Sequence, residues 1–261
     1  MAKLLVIAIL LAPLAAHAQC GPDGMDSVCG PAKKVSTRPT LFVEDANTTF
    51  HFVCNGSRCS DVKSGATLTM HGTVPMVAAS GLYPPGAGPF SSSNYWTMAG
   101  AGPFEMPNAN ANGFYVCFAM VGPGATTEQI FAGQSSGLVG WYAEYFQGNG
   151  GLNFGSHNGG GGHVVQVPSS ALNLSGFNAI CGGYGTASSG TLMVQANGMA
   201  SPTTATGIGS YVDPSAVAPF IGFLASPAFA GTIYEIIVEA ATPSGTVFTA
   251  QISHAKTATG N

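Results

Sequence analysis

Beyond residue 40 the chain is a succession of short apolar runs, many alternating with a period of two and separated by Gly, Pro, Asn and Ser. Such runs predict strands over Leu41–Val43, Thr49–Cys54, Ala66–Met70, Val74–Ala78, Asn94–Met98, Phe114–Val121 and Gln129–Ala132. Further runs lie at Val139–Phe146, Leu152–Phe154, His163–Val167, Phe177–Tyr184, Thr191–Gln195, Pro219–Leu224, Thr232–Glu239 and Val247–Ser253. Phe114, Val116, Phe118 and Met120 share one face of their run, and Tyr115, Cys117, Ala119 and Val121 the other. Both faces are apolar, so that strand is expected to be covered on both sides. In Thr232–Glu239 the positions Tyr234, Ile236 and Val238 form one apolar face, which predicts a sandwich interior. Strands this dense over residues 41–255 predict one all-β domain, a sandwich of two packed sheets.

Turn residues refine the pattern. Asn197-Gly198 between two β-like runs predicts a two-residue hairpin turn, because both types tolerate positive φ. Gly231, ahead of a long strand, suits a bend or a close backbone approach. The glycine-rich stretch 148–162 reads as loops around the short strand Leu152–Phe154. Residues 256–261 read as a C-terminal tail, and residues 19–40 as a disulfide-tied N-terminal segment.

Composition narrows the function. Gly and Pro number 37 and 17, and charged residues are only 7% of the 261. With 46% apolar residues, the chain is too hydrophobic for a charge-rich disordered one. It lacks the Gly-X-Y period of collagen. A formal charge of −4 with no basic stripe argues against nucleic acid as a partner.

Residues 1–18 combine Lys3, an apolar run from Leu4 to Leu14 and a small-x-small exit at Ala16-His17-Ala18, the pattern of a secretory signal peptide. Gln19 before Cys20 disfavours lipoprotein processing, and no other run approaches membrane length. The protein is therefore expected to be secreted, extracellular or periplasmic, with no membrane insertion. Export permits disulfides among Cys20, Cys29, Cys54, Cys59, Cys117 and Cys181. Six cysteines allow fifteen connectivities, and spacing favours nearest partners.

The order of several segments resembles the concanavalin A-like lectin/glucanase superfamily, in its laminin G-like and pentraxin-like branch. The resemblance is carried by Phe114-Tyr115-Val116-Cys117-Phe118, Gln129-Ile130-Phe131-Ala132 with Gly140-Trp141-Tyr142, and Asn178-Ala179-Ile180-Cys181. It continues through Gly190–Val194 and closes at Pro219–Gly222 with Phe229–Ile236. It implies an all-β, two-sheet antiparallel jelly-roll sandwich over residues 41–255. It also implies an intradomain bridge near Cys117 and Cys181.

The branch that hydrolyses glycosides needs two carboxylates flanking the scissile bond. Glu235 and Glu239 are four apart, about 13 Å along a straight strand, which is too far for a retaining pair. Glu144 is alone in its run, and Glu44 and Asp45 would point to opposite faces of a strand. A hydrolase is thus the weakest of three readings, and no catalytic residue is assigned. Gly133-Gln134-Ser135-Ser136-Gly137 has the letters of a nucleophile elbow but no helix after it, and a hairpin turn is expected there. His157 and His163 flank the glycine loop, a poor template for metal geometry. The resemblance brings calcium into view, yet Asp213 is the only acid between Glu144 and Glu235, and Asp61 is an equally thin candidate. No cofactor is assigned.

Rings and amides are what the chain does supply. Tyr95, Trp96, Trp141 and Tyr145, with Asn153, form the candidate ligand-binding set, since rings cover sugar CH groups and amides bond hydroxyls. Alternation places Trp141 and Tyr145 on one face of their strand and Tyr142 on the other. Whether either Trp lines a groove or fills the core stays open at this level. The expected role is non-catalytic recognition of an extracellular glycan or surface glycoconjugate, or adhesion. The alternative is a structural subunit that self-associates.

Overall fold

The computed structural model describes residues 40–98, 104, 106, 108–122, 129–136, 139–146, 151–214, 217–223 and 228–261. All belong to one compact unit, Ser36–Asn261. The predicted signal peptide and the Cys20–Cys29 pairing lie outside the described residues.

The strands are β1 (Thr48–Cys54), β2 (Cys59–Asp61), β3 (Leu68–His71), β4 (Met76–Val77), β5 (Gly86–Ala87) and β6 (Tyr95–Met98). After a short helix α1 (Ala109–Asn112) come β7 (Phe114–Val121), β8 (Gln129–Ser136), β9 (Val139–Phe146), β10 (Gly151–His157) and β11 (Gly162–Val167). Then follow β12 (Phe177–Gly185), β13 (Thr191–Ala196), β14 (Thr203–Thr206), β15 (Phe220–Ile221) and β16 (Thr232–Glu239), and last a helix α2 (Gly245–Thr259). They form two antiparallel sheets. Sheet A runs β14-β13-β12-β7-β16-β1-β2, with β5 pairing both β16 and β4, and sheet B runs β11-β10-β9-β8-β15-β6-β3. This is the two-sheet sandwich that the patterning predicts, in the jelly-roll form that the resemblance implies.

The interior lies between the sheets. Phe50, Phe52, Phe114, Val116, Phe118, Ile236 and Val238 project from sheet A onto Trp96, Trp141, Ala143, Leu152 and Phe154 of sheet B. Trp141 is fully buried, with ring centroids of Phe104, Phe154, Phe114 and Phe118 at 5.2, 5.9, 6.2 and 6.5 Å. Its Nε1 donates to the Phe104 carbonyl at 3.3 Å, so the polar end of the indole is satisfied inside the core.

The outer face of sheet A is covered as well, which explains the two apolar faces of β7. Here the expected strand Val247–Ser253 is instead part of α2, and the helix continues through the residues read as a tail, to Thr259. Ser244 Oγ accepts from Val247 N at 3.2 Å as N-cap, and Gly260, at φ 70°, closes the C-terminus. Phe248, Gln251, Ile252, Ala255 and Thr259 form the buried stripe, spaced three or four apart as a helix face requires. Phe248 and Ile252 join Tyr115, Cys117, Ala179, Cys181 and Ile237 in a second apolar cluster, and each contributes about 2 kcal/mol by burial.

Two disulfides are formed as spacing suggested. Cys54–Cys59 closes the β1–β2 turn, and Cys117–Cys181 links facing positions of β7 and β12, Cα–Cα 4.1 Å, beneath α2. Gly231 makes the expected close approach: a Cβ there would stand 2.4 Å from the Val121 carbonyl oxygen.

Other local expectations fail. Leu41–Val43 is no strand but a strap laid across the outer face of sheet A, with Leu41 and Phe42 buried. Asn197-Gly198 is no two-residue hairpin turn, since β13 ends at Ala196, β14 begins at Thr203, and neither residue has positive φ. Asn197 instead exchanges two hydrogen bonds with Ala179, its N–H donating to the Ala179 carbonyl and its Oδ1 accepting from Ala179 N. Gly133–Ser136 is strand and not a turn, and β10 extends over seven residues of the glycine-rich stretch.

Candidate functional site

Charge concentrates at one place in the described residues, beneath the strap. Glu235 of β16 accepts from Leu41 N at 2.8 Å, from Phe42 N at 2.9 Å and pairs with His51 Nε2 at 2.7 Å. The other ring nitrogen of His51 pairs with Glu44 Oε1 at 2.5 Å, and Lys63 Nζ lies 3.7 Å from Glu44 Oε2. Burial alone would pull the His51 pKa down, but the two carboxylates outweigh it and the net direction is up. Glu239, fully buried beside Asp45 and accepting from Thr48 Oγ1 at 2.6 Å, is pushed up to about 7, chiefly by burial. From α2, Gln251 exchanges two 2.9 Å bonds with Val43, and His254 Nδ1 lies 3.0 Å from the Leu41 carbonyl oxygen.

This cluster is a fastening and not a reaction centre. His51 and Glu235 are sealed from solvent, and both Glu235 oxygens are occupied by chain donors. Asp61 is likewise saturated, accepting from the backbone N–H groups of His51, Lys63, Ser64 and Ala66. No arrangement of three or more His, Cys, Asp or Glu fit to hold a metal occurs among the described residues.

Ring and amide chemistry also gathers, largely buried, on the outer face of sheet B. There alternation brings Glu144, Asn153 and Gln166 into one cross-strand row over β9, β10 and β11. Asn153 Nδ2 donates to Glu144 Oε1 at 2.9 Å, while Asn153 Oδ1 and Gln166 Nε2 are buried without a hydrogen-bond partner. In the next row Tyr142 faces Gly155, and a Cβ at Gly155 would stand 2.3 Å from the Tyr142 ring. Glycine therefore lets the ring lie across the strand. His157 sits 5.6 Å from Tyr142, and burial, with repulsion from His163, lowers its pKa, favouring the neutral imidazole.

At the opposite end of the same face, β3 and β6 build a stack of half-buried rings. His71 lies on Tyr95 at 4.3 Å and 9°, Phe223 is tilted against Tyr95 at 5.2 Å, and His71 Nε2 is 2.9 Å from Thr97 Oγ1.

The residues chosen from sequence divide between the two sides of this sheet. Trp96, Trp141 and Tyr145 are buried, the two Trp rings wholly engaged by neighbouring rings, so they present no open face to a ligand. Tyr95 lies on the outer face within the ring stack, and Asn153 lies in the polar row. His71, Phe223 and Gln166 were not singled out. Their signal is the pairing register, which sets His71 opposite Tyr95 and Gln166 opposite Asn153 and is not written in either strand alone.

No family model and no curated protein matches the chain. Solved structures do match its fold, the two-sheet jelly-roll sandwich. The binding domain of Paraclostridial Mosquitocidal Protein 1 aligns with a TM-score of 0.61 at 10% identity, over 80% of this chain and 52% of that one. The binding domain of botulinum neurotoxin DC in complex with SialylT gives 0.60 at 11%, over 80% and 52%. Trypanosoma rangeli sialidase in complex with sialic acid gives 0.54 at 14%, over 82% and 34%. The chain thus spans about half the length of the toxin domains it resembles. At these identities the likeness is one of fold.

Proposed function

We propose that the protein is a secreted, non-catalytic recognition domain that binds an extracellular glycan on the outer face of sheet B. The observation that carries this reading is the half-buried stack of His71, Tyr95 and Phe223 with the Thr97 hydroxyl beside it. Flat ring faces next to hydroxyl and amide groups match the alternating CH and OH faces of a sugar. Two structures that share this fold over part of their length, the neurotoxin DC domain in complex with SialylT and the sialidase in complex with sialic acid, lend it support. The sialidase is an enzyme, but Glu144 is the only acid in the strands of sheet B, which leaves those strands without the second carboxylate glycoside hydrolysis needs. A glycan array followed by titration with the intact protein and Tyr95→Ala tests the reading. Binding should weaken about tenfold in the variant at unchanged stability. Unaltered binding removes the ring stack from the site.

A second reading, self-association, rests on β3. This edge strand, Leu68-Thr69-Met70-His71, has no lysine or proline to block pairing, and Met70 is 52% exposed. Light scattering on the pure protein and on Met70→Lys decides it: an oligomer that the variant disperses supports the reading, and a monomer at all concentrations excludes it.

A further inference from the structure

The strap is fastened at two places. Upstream, Leu41 and Phe42 hang from Glu235 by their backbone N–H groups, while Gln251 and His254 of α2 hold Val43 and the Leu41 carbonyl. Facing a carbonyl oxygen, His254 Nδ1 carries its proton in either charge state of the ring, so this end does not depend on titration. Downstream, the exposed corner at Glu44 and Asp45 is held by groups that do titrate.

One of them is His51. Its Nδ1 faces Glu44 Oε1 at 2.5 Å and its Nε2 faces Glu235 Oε1 at 2.7 Å. Carboxylate oxygens only accept, so both contacts are hydrogen bonds only when both ring nitrogens carry protons. A neutral imidazole has a single N–H. It keeps that proton for Glu235, which is sealed from solvent, and gives up Glu44, which is 36% exposed with Lys63 Nζ at 3.7 Å.

The other is Glu239. Its Oε1 accepts from Thr48 Oγ1 at 2.6 Å, and that hydroxyl accepts from Asp45 N at 2.8 Å. Its Oε2 is buried and accepts no hydrogen bond, a position that suits a protonated oxygen and not an ionised one. Burial raises the pKa to about 7, and Asp45 adds to the rise by its charge and by accepting from the protonated group. Ionised, Glu239 repels Asp45 instead. The other titratable neighbours do not offset this. Asp61 is taken up by His51 N and three further backbone N–H groups. Lys63 Nζ donates to the Asp45 carbonyl at 3.0 Å and lowers the Glu239 pKa only in part. Tyr115 of β7, raised to about 12 chiefly by burial, stays neutral.

We propose that the Glu44–Asp45 corner is a two-proton latch, closed while His51 and Glu239 are protonated and opening, with the sandwich still folded, as both protons leave. The sign is the same for both groups: each folded pKa is raised, so closure is favoured at low pH and lost as pH rises. With a pKa of about 7 closed and 4.5 open, Glu239 alone favours the closed corner about tenfold at pH 6 and hardly at all at pH 8.5. The upstream fastening persists, so Leu41 and Phe42 stay in place while residues 44–47 come free. The latch lies on sheet A and is independent of the glycan reading.

The test is amide hydrogen exchange of the intact protein by NMR from pH 6 to pH 8.5, expressed as protection factors to remove the chemical pH dependence. Protection at Asp45 and Thr48, whose N–H groups bond within the corner, should fall about tenfold or more. At each pH it should stay at least roughly 100-fold below that of Phe52 in β1, the mark of local opening. Glu239→Gln, neutral at every pH, should lose most of the fall, and adding Glu44→Gln should remove the rest. Constant protection across the range overturns the latch, and so does corner protection equal to that of Phe52, which means opening only by global unfolding. A carboxyl carbon of Glu239 that titrates below pH 5 in the unsubstituted protein also overturns it, whether or not the variants fold.

Discussion

Replacing Glu235 by Gln would test how the strap is held. The carboxylate accepts from two backbone N–H groups and from the His51 ring, all buried. Glutamine offers one acceptor oxygen and turns its NH2 group toward donors, so at least one of those N–H groups loses its partner. Hydrogen bonds to a charged group contribute about 1.5–3 kcal/mol each, and breaking one side of a buried ion pair costs about 3–5 kcal/mol. The expected loss is therefore about 3–5 kcal/mol, read as a lower urea midpoint at unchanged slope. In a domain of this size each kcal/mol lowers Tm by about 2–4 °C, so a drop of at least about 6 °C should accompany it. His51→Gln and the double variant complete a cycle, with a coupling of about 2 kcal/mol expected between the two positions. A loss in E235Q below about 1 kcal/mol, or strictly additive effects, would refute the claim that Glu235 fastens the strap through His51.

Other outcomes follow from the same geometry. His51 and Glu239 both have pKa values raised by the fold, so each contributes stability that is present below its unfolded value and is lost as pH rises through its folded one. For Glu239 that window runs from the ordinary glutamate range to about 7. Thermal midpoints should fall from pH 5.5 to pH 8.5, and Glu239→Gln should flatten the slope; a midpoint that rises over this interval contradicts the assignment. Trp141→Ala, which empties a fully buried ring site, should cost about 3–5 kcal/mol, whereas Tyr95→Ala on the outer face should cost under about 1 kcal/mol, both by denaturant titration. Replacing Cys117 and Cys181 together by Ala opens a link across a separation of 64 residues and should cost about 4 kcal/mol on the chain-entropy account. Calorimetry of the double variant checks that figure.

β7, β9 and β16 have the bounds that their apolar runs predict, but a register shift between Ile233 and Glu235 puts Tyr234 in the cluster beneath α2 and not in the interior expected for it. The helix α2 was misread because Val247–Ser253, taken alone, is a short run rich in β-branched and aromatic residues. Only the longer spacing of Phe248, Ile252, Ala255 and Thr259, together with Ser244 and Gly260 as caps, reveals a 3.6-residue period. The candidate site was half legible for a related reason. Alternation separated Trp141 from Tyr142, but parity does not say which face looks inward. That depends on the opposite sheet, whose Phe52 packs on Trp96 and whose Phe114 and Phe118 pack on Trp141. The His51–Glu235 contact was beyond reach because it joins positions 184 residues apart, through a register that no local signal encodes.

The helix over sheet A also decides how this domain could be mounted. Strap and C-terminal helix lie together on one side of the sandwich, tied by Gln251 and His254 to Val43 and Leu41, while the ring stack and polar row occupy the other. Asn261 is hydrogen-bonded to Tyr83, whose ring stacks on Phe177 and Tyr234 of that same helix-bearing side. A surface coupled through Asn261 would therefore hold the molecule by its back, with the outer face of sheet B, where the glycan site is proposed, turned outward. A sensor chip or bead loaded in that orientation should retain full ligand capacity, and one loaded through the outer face of sheet B should not.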